Sequence, residues 1–242
     1  MSNTLLFNKK AVRMIAHRGV SGLECENTVA AFVAAGNRSY YGIETDVHLT
    51  ADGHFVMIHD SATGRLSTTD LCVEQATLAQ CRQVVFDRCP YVNGAPRRDL
   101  VMPELADYLD VCRRYEKAPV IEIKGRMDEA ALARLAAQTE AAGLLANAVF
   151  IAFDYENLAC LRRLLPRQPL QFLTGEWQNA LLDRLAADRI GLDIYYESLT
   201  QPTVDALHRQ GLAVNCWTCD RPADAERLAA WGVDYITSNI LE

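Results

Sequence analysis

Apolar residues recur along the chain as short runs spaced by stretches of helical periodicity, and several runs stop on a charged or imidazole side chain. Met14-Ile15-Ala16 leads into His17 and predicts a strand over Met14–His17. Asn27 or Thr28 stands where a helix N-cap belongs, ahead of Ala31-Phe32 and a helix running to Asn37. Gly42–Val47 reads as a second strand. Asp52-Gly53 then turns the chain into an antiparallel extension over His54–His59. From Asp60 to Met102 the rhythm breaks, with Gly64, Pro90, Gly94 and Pro96, so this stretch reads as an insertion over one end of the fold. Pro103 opens a helix to Arg114.

Alternation then becomes regular. Strands are predicted over Val120–Lys124, Ala148–Ala152, Leu170–Leu173, Ile190–Ile194, Ala213–Trp217 and Val233–Thr237. Helices are predicted over Met127–Ala142, Tyr155–Leu165, Glu176–Asp188, Thr200–Gln210 and Arg221–Trp231, with Gly143, Gly211 and Gly232 just past three of them. Eight strands with helices between them indicate a single α/β domain, a (β/α)8 TIM barrel with a small insertion after the second strand. A doubly wound open sheet is the rival, but neither G-x-G-x-x-G nor G-x-x-x-x-G-K-[ST] occurs. His17, Glu44, Asp46, Glu122 and Lys124 all fall at or near C-terminal ends of predicted strands, the end where barrel enzymes place their sites. No eighth helix follows the last strand. Leu5-Leu6-Phe7 is expected to fold across the resulting gap, unless a partner subunit fills it and makes the protein a homo-oligomer.

The 242 residues are half hydrophobic, enough for one large core, and the net charge is −7. No long basic run exists. Arg97-Arg98, Arg113-Arg114 and Arg162-Arg163 are isolated pairs on solvated faces, which argues against a nucleic-acid or anionic-membrane partner. No apolar stretch reaches transmembrane length and the start lacks a signal-peptide core, so a cytoplasmic location is expected. The eight cysteines accordingly read as reduced thiols packed as small hydrophobes. Cys216-Trp217-Thr218-Cys219 spells C-x-x-C, but no thioredoxin-like order surrounds it and no second pair completes a zinc site, so coincidence is the reading.

Glu44 and Asp46 sit at i and i+2, on one face of a strand, with alpha carbons about 6.6 Å apart. Flanked by Gly42-Ile43 and Val47, that strand reads as buried. Two buried carboxylates are costly unless a cation lies between them, and oxygen ligands suit Mg²⁺ or Ca²⁺. Glu122 and Lys124 share a face in the same way, as a metal ligand with a phosphate contact or as a plain ion pair. Asn27 is expected to cap its helix, with a hydrogen bond into the site in addition. His48, His54 and His208 read as ordinary surface or core histidines.

His17-Arg18-Gly19, Glu26-Asn27-Thr28, Ile43-Glu44-Thr45-Asp46-Val47, Thr50-Ala51-Asp52-Gly53, Val56-Met57-Ile58-His59-Asp60, Pro103-Glu104-Leu105, Ile121-Glu122-Ile123-Lys124 and Asn215-Cys216-Trp217-Thr218 occur in one order. Together they resemble the glycerophosphodiester phosphodiesterase family, of its cytoplasmic bacterial type. Cys25 departs from the family's usual proline, and Thr237-Ser238-Asn239-Ile240 departs from its usual Thr-Asp-x-Pro. The resemblance implies a barrel, a divalent cation and hydrolysis of a small glycerophosphodiester to an alcohol and glycerol 3-phosphate. On that reading Glu44, Asp46 and Glu122 hold the cation, and His17 and His59 share the general acid and base roles in an order left open. Arg18 and Lys124 bind phosphoryl oxygens, Trp217 walls the glycerol carbons, and Glu26 and Asn27 give support. The nucleophile is water or the glycerol's own hydroxyl, the latter giving a cyclic phosphate first. The insertion is expected to overhang and narrow the pocket. The alternatives are a phospholipase-D-like enzyme for lysophospholipids, which wants an exposed apolar rim, and a non-catalytic phosphate-ester-binding barrel, which should lack one of these groups.

Overall fold

The computed structural model describes residues 3–89 and 97–242. Its strands are β1 (Arg13–Ala16), β2 (Gly42–Leu49), β3 (Phe55–Met57), β4 (Ala118–Ile123), β5 (Val149–Ala152), β6 (Leu170–Thr174), β7 (Gly191–Tyr195), β8 (Val214–Trp217) and β9 (Tyr235–Ser238). Hydrogen bonding runs in the order β1-β9-β8-β7-β6-β5-β4-β2-β3, and β1 also pairs with β2, so eight parallel strands close on themselves. The antiparallel β3 hangs on the rim of β2, with Val47 opposite Met57. The expected barrel is therefore the fold.

Strand alternation divides the core into two layers. One face of the strands, including Ile43, Val47, Ile121, Ile123 and Phe150, packs into the large cluster shared with the helices. On the other face Ile15, Val120, Val149, Ile151 and Leu173 fill the barrel interior. The helices are α1 (Val29–Gly36), α2 (Leu78–Cys81), α3 (Leu105–Arg114), α4 (Glu129–Ala141), α5 (Tyr155–Leu164), α6 (Ala180–Asp188), α7 (Gln201–Arg209) and α8 (Pro222–Trp231). In α3, Leu105, Tyr108, Leu109 and Cys112 recur at helical spacing and are buried against the barrel.

Several boundaries move for local reasons. Asp128 caps α4 by accepting from the Ala131 N–H at 2.7 Å, so that helix begins at Glu129 rather than Met127. The Thr174 hydroxyl bonds both the N–H and the carbonyl of Glu176, holding a turn where the helix was expected, and α6 waits until Ala180. Thr28 rather than Asn27 caps α1, accepting from the Ala31 N–H at 3.2 Å. Gly19, at φ +74°, lets the loop after β1 press against α1, where an added Cβ would lie 2.6 Å from the Ala31 carbonyl carbon.

The insertion carries an apolar cluster of its own: Leu66, Val73, Phe86, Leu100 and Met102 pack with Val56, Ile58 and Cys25. Within that cluster Cys25 and Cys89 form a disulfide, with alpha carbons 5.7 Å apart. This corrects the expectation of eight reduced thiols. The insertion folds back over the entry to α1 and brings together two cysteines separated by 64 residues. Cys216 and Cys219 are free and buried. Pro90, Gly94 and Pro96 lie outside the described residues. At the other edge Leu5 bridges Leu241 in parallel and Phe7 packs on the core. Leu6, expected to help cover the gap, instead points outward at 77 % exposure. No helix among the described residues is long and apolar enough to cross a membrane.

Candidate active site

Strand β1 ends at Ala16, so His17 and Arg18 stand just beyond it, at the barrel's C-terminal mouth. The Arg18 backbone takes φ +52° and gives its N–H to Glu44 Oε2 at 2.7 Å. Glu44 and Asp46 come from β2 and Glu122 from β4, where Asp46 registers directly beside Glu122. All three are buried, and one oxygen from each can be chosen so that they lie within 4.8 Å of one another.

That clustering sets the electrostatics. Burial, then repulsion from Asp46 and Glu122, raises the Glu44 carboxyl well above its ordinary range. Burial and Asp46 likewise push Glu122 up to about 8. Asp46 goes the other way: burial opposes its charge, but Lys124 and Arg18 hold it well below the usual carboxylate range. Lys124 Nζ lies 3.0 Å from Asp46 Oδ1 and also bonds Glu122, while Arg18 Nε lies 3.5 Å from Asp46 Oδ2. Asn27, at φ +51°, donates its amide to Asp46 Oδ2 at 2.7 Å, and its side-chain oxygen accepts from the Thr45 hydroxyl at 2.7 Å. It orients a carboxylate instead of capping a helix.

The histidines have different surroundings. His17 Nδ1 faces Asn239 Oδ1 at 2.7 Å. Asn239 gives its amide to Asp220 Oδ2 at 2.6 Å, which turns its oxygen toward the ring. His17 Nδ1 therefore carries the hydrogen, and Nε2 points to the carboxylates, 4.0 Å from Glu44. Burial, aided by Arg18, lowers this imidazole to about 4. His59, two residues past β3, donates from Nδ1 to Asp60 Oδ1 at 2.7 Å. Burial lowers it too, while Asp46 and Asp60 pull toward the charged form. Arg65, from the insertion, spans Asp60 and Glu26, and Glu26 in turn accepts from Arg18 at 2.9 Å.

A cavity of about 150 Å³ opens here, lined by His17, Arg18, Glu44, His59 and Glu122 on one side and by Ile151, Phe153, Leu173, Asp193 and Trp217 on the other. Asp46, Lys124, Glu26 and Asn27 are not among the lining residues and join the site through the contacts above. No described residue of the insertion lines the cavity, so among the described residues the expected overhang is not seen, residues 90–96 lying outside them; the described part buries its apolar side chains on one another and reaches the site through Asp60, which accepts from His59, and through Arg65. Asn239, Asp60, Arg65, Phe153 and Asp193 were not singled out from sequence. The Asp60 neighbour of His59 and the departure at Thr237-Ser238-Asn239 were the available signals for two of them.

The model of the glycerophosphoryl diester phosphodiesterase family matches residues 17–241. The glycerophosphodiester phosphodiesterase of Caldanaerobacter subterraneus is 27% identical over 232 residues, covering 93% of each chain. That of Bacillus subtilis is 26% identical, covering 97% of this chain and 85% of its own. Among solved structures, an Oleispira antarctica phosphodiesterase in complex with the product sn-glycerol-3-phosphate superposes with a TM-score of 0.81 at 23% identity, covering 98% of this chain and 96% of that one.

Proposed function

Since the chain belongs to the glycerophosphoryl diester phosphodiesterase family, we infer that the cavity hydrolyses glycerophosphodiesters to glycerol 3-phosphate and an alcohol, with His17 as general base and His59 as general acid. The observation that carries the reading is the meeting of a buried carboxylate triad with two differently supported imidazoles at one cavity. The donor set fits a hard divalent cation: three carboxylates lie within 4.8 Å of one another, and burial with mutual repulsion raises two of them, Glu44 and Glu122, a cost that such an ion relieves. Mg²⁺ and Ca²⁺ both suit it. Bound by Glu44, Asp46 and Glu122, the cation supplies Lewis-acid stabilisation of charge on the phosphoryl oxygens.

The protein's own groups do the rest. Arg18 offers its fork to a non-bridging oxygen, and Lys124 adds positive charge behind Asp46 and Glu122. His17, neutral through burial and with Nε2 free of its Nδ1 hydrogen bond, takes the proton of the attacking water; with the glycerol hydroxyl as nucleophile the same transfer gives a cyclic phosphate, which a water then opens to glycerol 3-phosphate. His59 gives a proton to the departing alcohol oxygen, and Asp60 favours the imidazolium that donates it. Exchange with solvent returns both rings to their starting states.

One observation favours the lysophospholipid alternative: Phe153 is 50% exposed at the cavity edge, against Trp217. A single ring offers little area for an acyl chain, so the soluble diester is preferred. The test is release of choline from glycerophosphocholine and from lysophosphatidylcholine, with and without chelator. Faster turnover of glycerophosphocholine, lost with chelator, is expected. Activity confined to the lysolipid, or indifferent to chelator, overturns the reading.

A further inference from the structure

Across the cavity from the carboxylate triad, the wall carries a polar group that the hydrolysis above does not use. Asp193 sits within β7, 1% exposed, and lines the cavity. Register sets Leu173 of β6 on one side of it and Asn215 of β8 on the other. Its Oδ2 accepts from Asn215 Nδ2 at 3.1 Å. The same amide nitrogen reaches Gln171 Oε1 at 3.2 Å, and Asn215 Oδ1 accepts from the Thr237 hydroxyl at 3.3 Å. These contacts fix the carboxyl plane. Asp193 Oδ1, by contrast, is buried with no hydrogen-bond partner among the described residues. Buried polar atoms without a partner are costly, and one at the edge of a ligand cavity is explained by a ligand that supplies the missing bond.

We propose that Asp193 reads the hydroxyls of the ester's polyol, with Oδ1 hydrogen-bonded to a hydroxyl of the glycerol moiety while the phosphoryl group is held on the His17–Glu122 side. This inference rests on the phosphodiesterase reading of the cavity. Size and chemistry agree with it. The space is about 150 Å³, enough for a three-carbon polyol, and Ile151, Leu173 and Trp217 give its carbons an apolar wall. Burial, and then the nearby Glu122, push the Asp193 carboxyl well above its ordinary range. The missing bond at Oδ1 calls for a hydroxyl, which the glycerol end of the diester carries and a choline head group lacks. That places the glycerol end of the diester, rather than the head group, against β7. A site built to bond a hydroxyl discriminates against the analogue that lacks it.

The experiment is calorimetric titration of the Mg²⁺-loaded full-length protein with glycerol 3-phosphate and with propyl phosphate, which carries the same phosphoryl group and no hydroxyl. Wild type should bind glycerol 3-phosphate at least about 10-fold more tightly. Asp193→Ala should bring the two affinities within about 2-fold of each other by weakening glycerol 3-phosphate alone, its propyl phosphate affinity staying at the wild-type value. Should Asp193→Ala fail to fold, Asp193→Ser, which keeps a polar atom for Asn215 but draws back from the cavity, carries the same expectation. A preference retained in the variant overturns the assignment, and so does an equal loss of both ligands, which marks Asp193 as structural. If wild type neither binds glycerol 3-phosphate nor releases it from glycerophosphocholine, the phosphodiesterase reading itself falls.

Discussion

Asn239 presents its side-chain oxygen to His17 Nδ1 from 2.7 Å, and Asp220 fixes that orientation by accepting from the other end of the same amide. The His17 imidazole is thus held by a neutral partner, with a carboxylate one step removed. The Asn239 hydrogen bond sets the ring's tautomer and by itself favours the charged ring, but burial, aided by Arg18, outweighs it.

The acid limb of the pH profile should reflect this. His17 acts as base only when neutral, and burial lowers it to about 4 from the usual 6.5. The acid limb of kcat/KM should therefore lie near pH 4. Asn239→Asp puts a carboxylate beside the ring, favours imidazolium and should shift that limb upward. Asn239→Leu should lower kcat by about 10-fold or more with little change in KM, because the ring loses its aim. A limb unmoved in Asn239→Asp would remove His17 as the base.

The carboxylate triad should make the chelated protein sensitive to alkali. The Glu122 pKa is raised to about 8 from 4.5, so the folded state holds its proton more tightly than the unfolded state. Its stabilising share is full below the unfolded value and is lost as pH rises toward the folded one. Thermal melts of chelated protein should fall between pH 6.5 and 8, a window above the lowered range of His17 and His59. Added Mg²⁺ should raise the melting temperature more at pH 8 than at pH 6.5. Glu122→Gln should flatten the pH dependence and cost both ion binding and turnover. A variant with full activity and ion affinity would reduce Glu122 to an ion-pair partner of Lys124.

Arg65 reaches from the insertion to Asp60 and Glu26, and so touches the supports of both His59 and Arg18. Arg65→Ala leaves Asp60 less compensated, so the carboxylate favours the charged imidazole more strongly. The basic limb of kcat should move upward and KM should rise as Glu26 draws on Arg18 alone. Arg65 is 46% exposed, so stability should change by no more than about 1 kcal/mol. Unchanged kinetics would make the bridge a surface ornament.

The Cys25–Cys89 bond closes a loop with a sequence separation of 64. Replacing both cysteines by serine should destabilise the protein by about 4 kcal/mol in the chain-entropy account. Activity at room temperature should survive, because no described residue of the insertion lines the cavity. Melts and initial rates with and without reductant check both statements. Equal melting temperatures would show that the thiols are not paired in solution.

The sequence made the barrel legible because each strand that closes it is an apolar run ending in a polar group, as at Ile15-Ala16-His17 and Val120–Lys124. It made the triad legible because strand geometry forces i and i+2 onto one face, as with Glu44 and Asp46. Asn27 was placed on a helix cap because Asn and Thr are both good caps. Only the fold shows that Thr28 takes that role while Asn27, at positive φ, turns to Asp46. Asn239 and Asp193 were hidden for another reason. Their partners, His17 and Asn215, are 222 and 22 residues away, and no local periodicity encodes such contacts. The disulfide was missed likewise, since spacing says nothing about two cysteines joined by an insertion that folds back.

The cavity's two walls come from separate halves of the barrel. The two imidazoles, Arg18, Lys124 and the carboxylate triad arrive before residue 125, on or beside β1 to β4, whereas Ile151, Phe153, Leu173, Asp193 and Trp217 arrive after it, on or beside β5 to β8. Apart from Asn239 and Asp220, which reach back to His17, the proposed roles in bond-breaking and in substrate choice therefore fall in different parts of the gene. Variation confined to the later half can explore new esters while the hydrolytic apparatus stays whole, so a library at those five wall positions is a short route to altered substrate range.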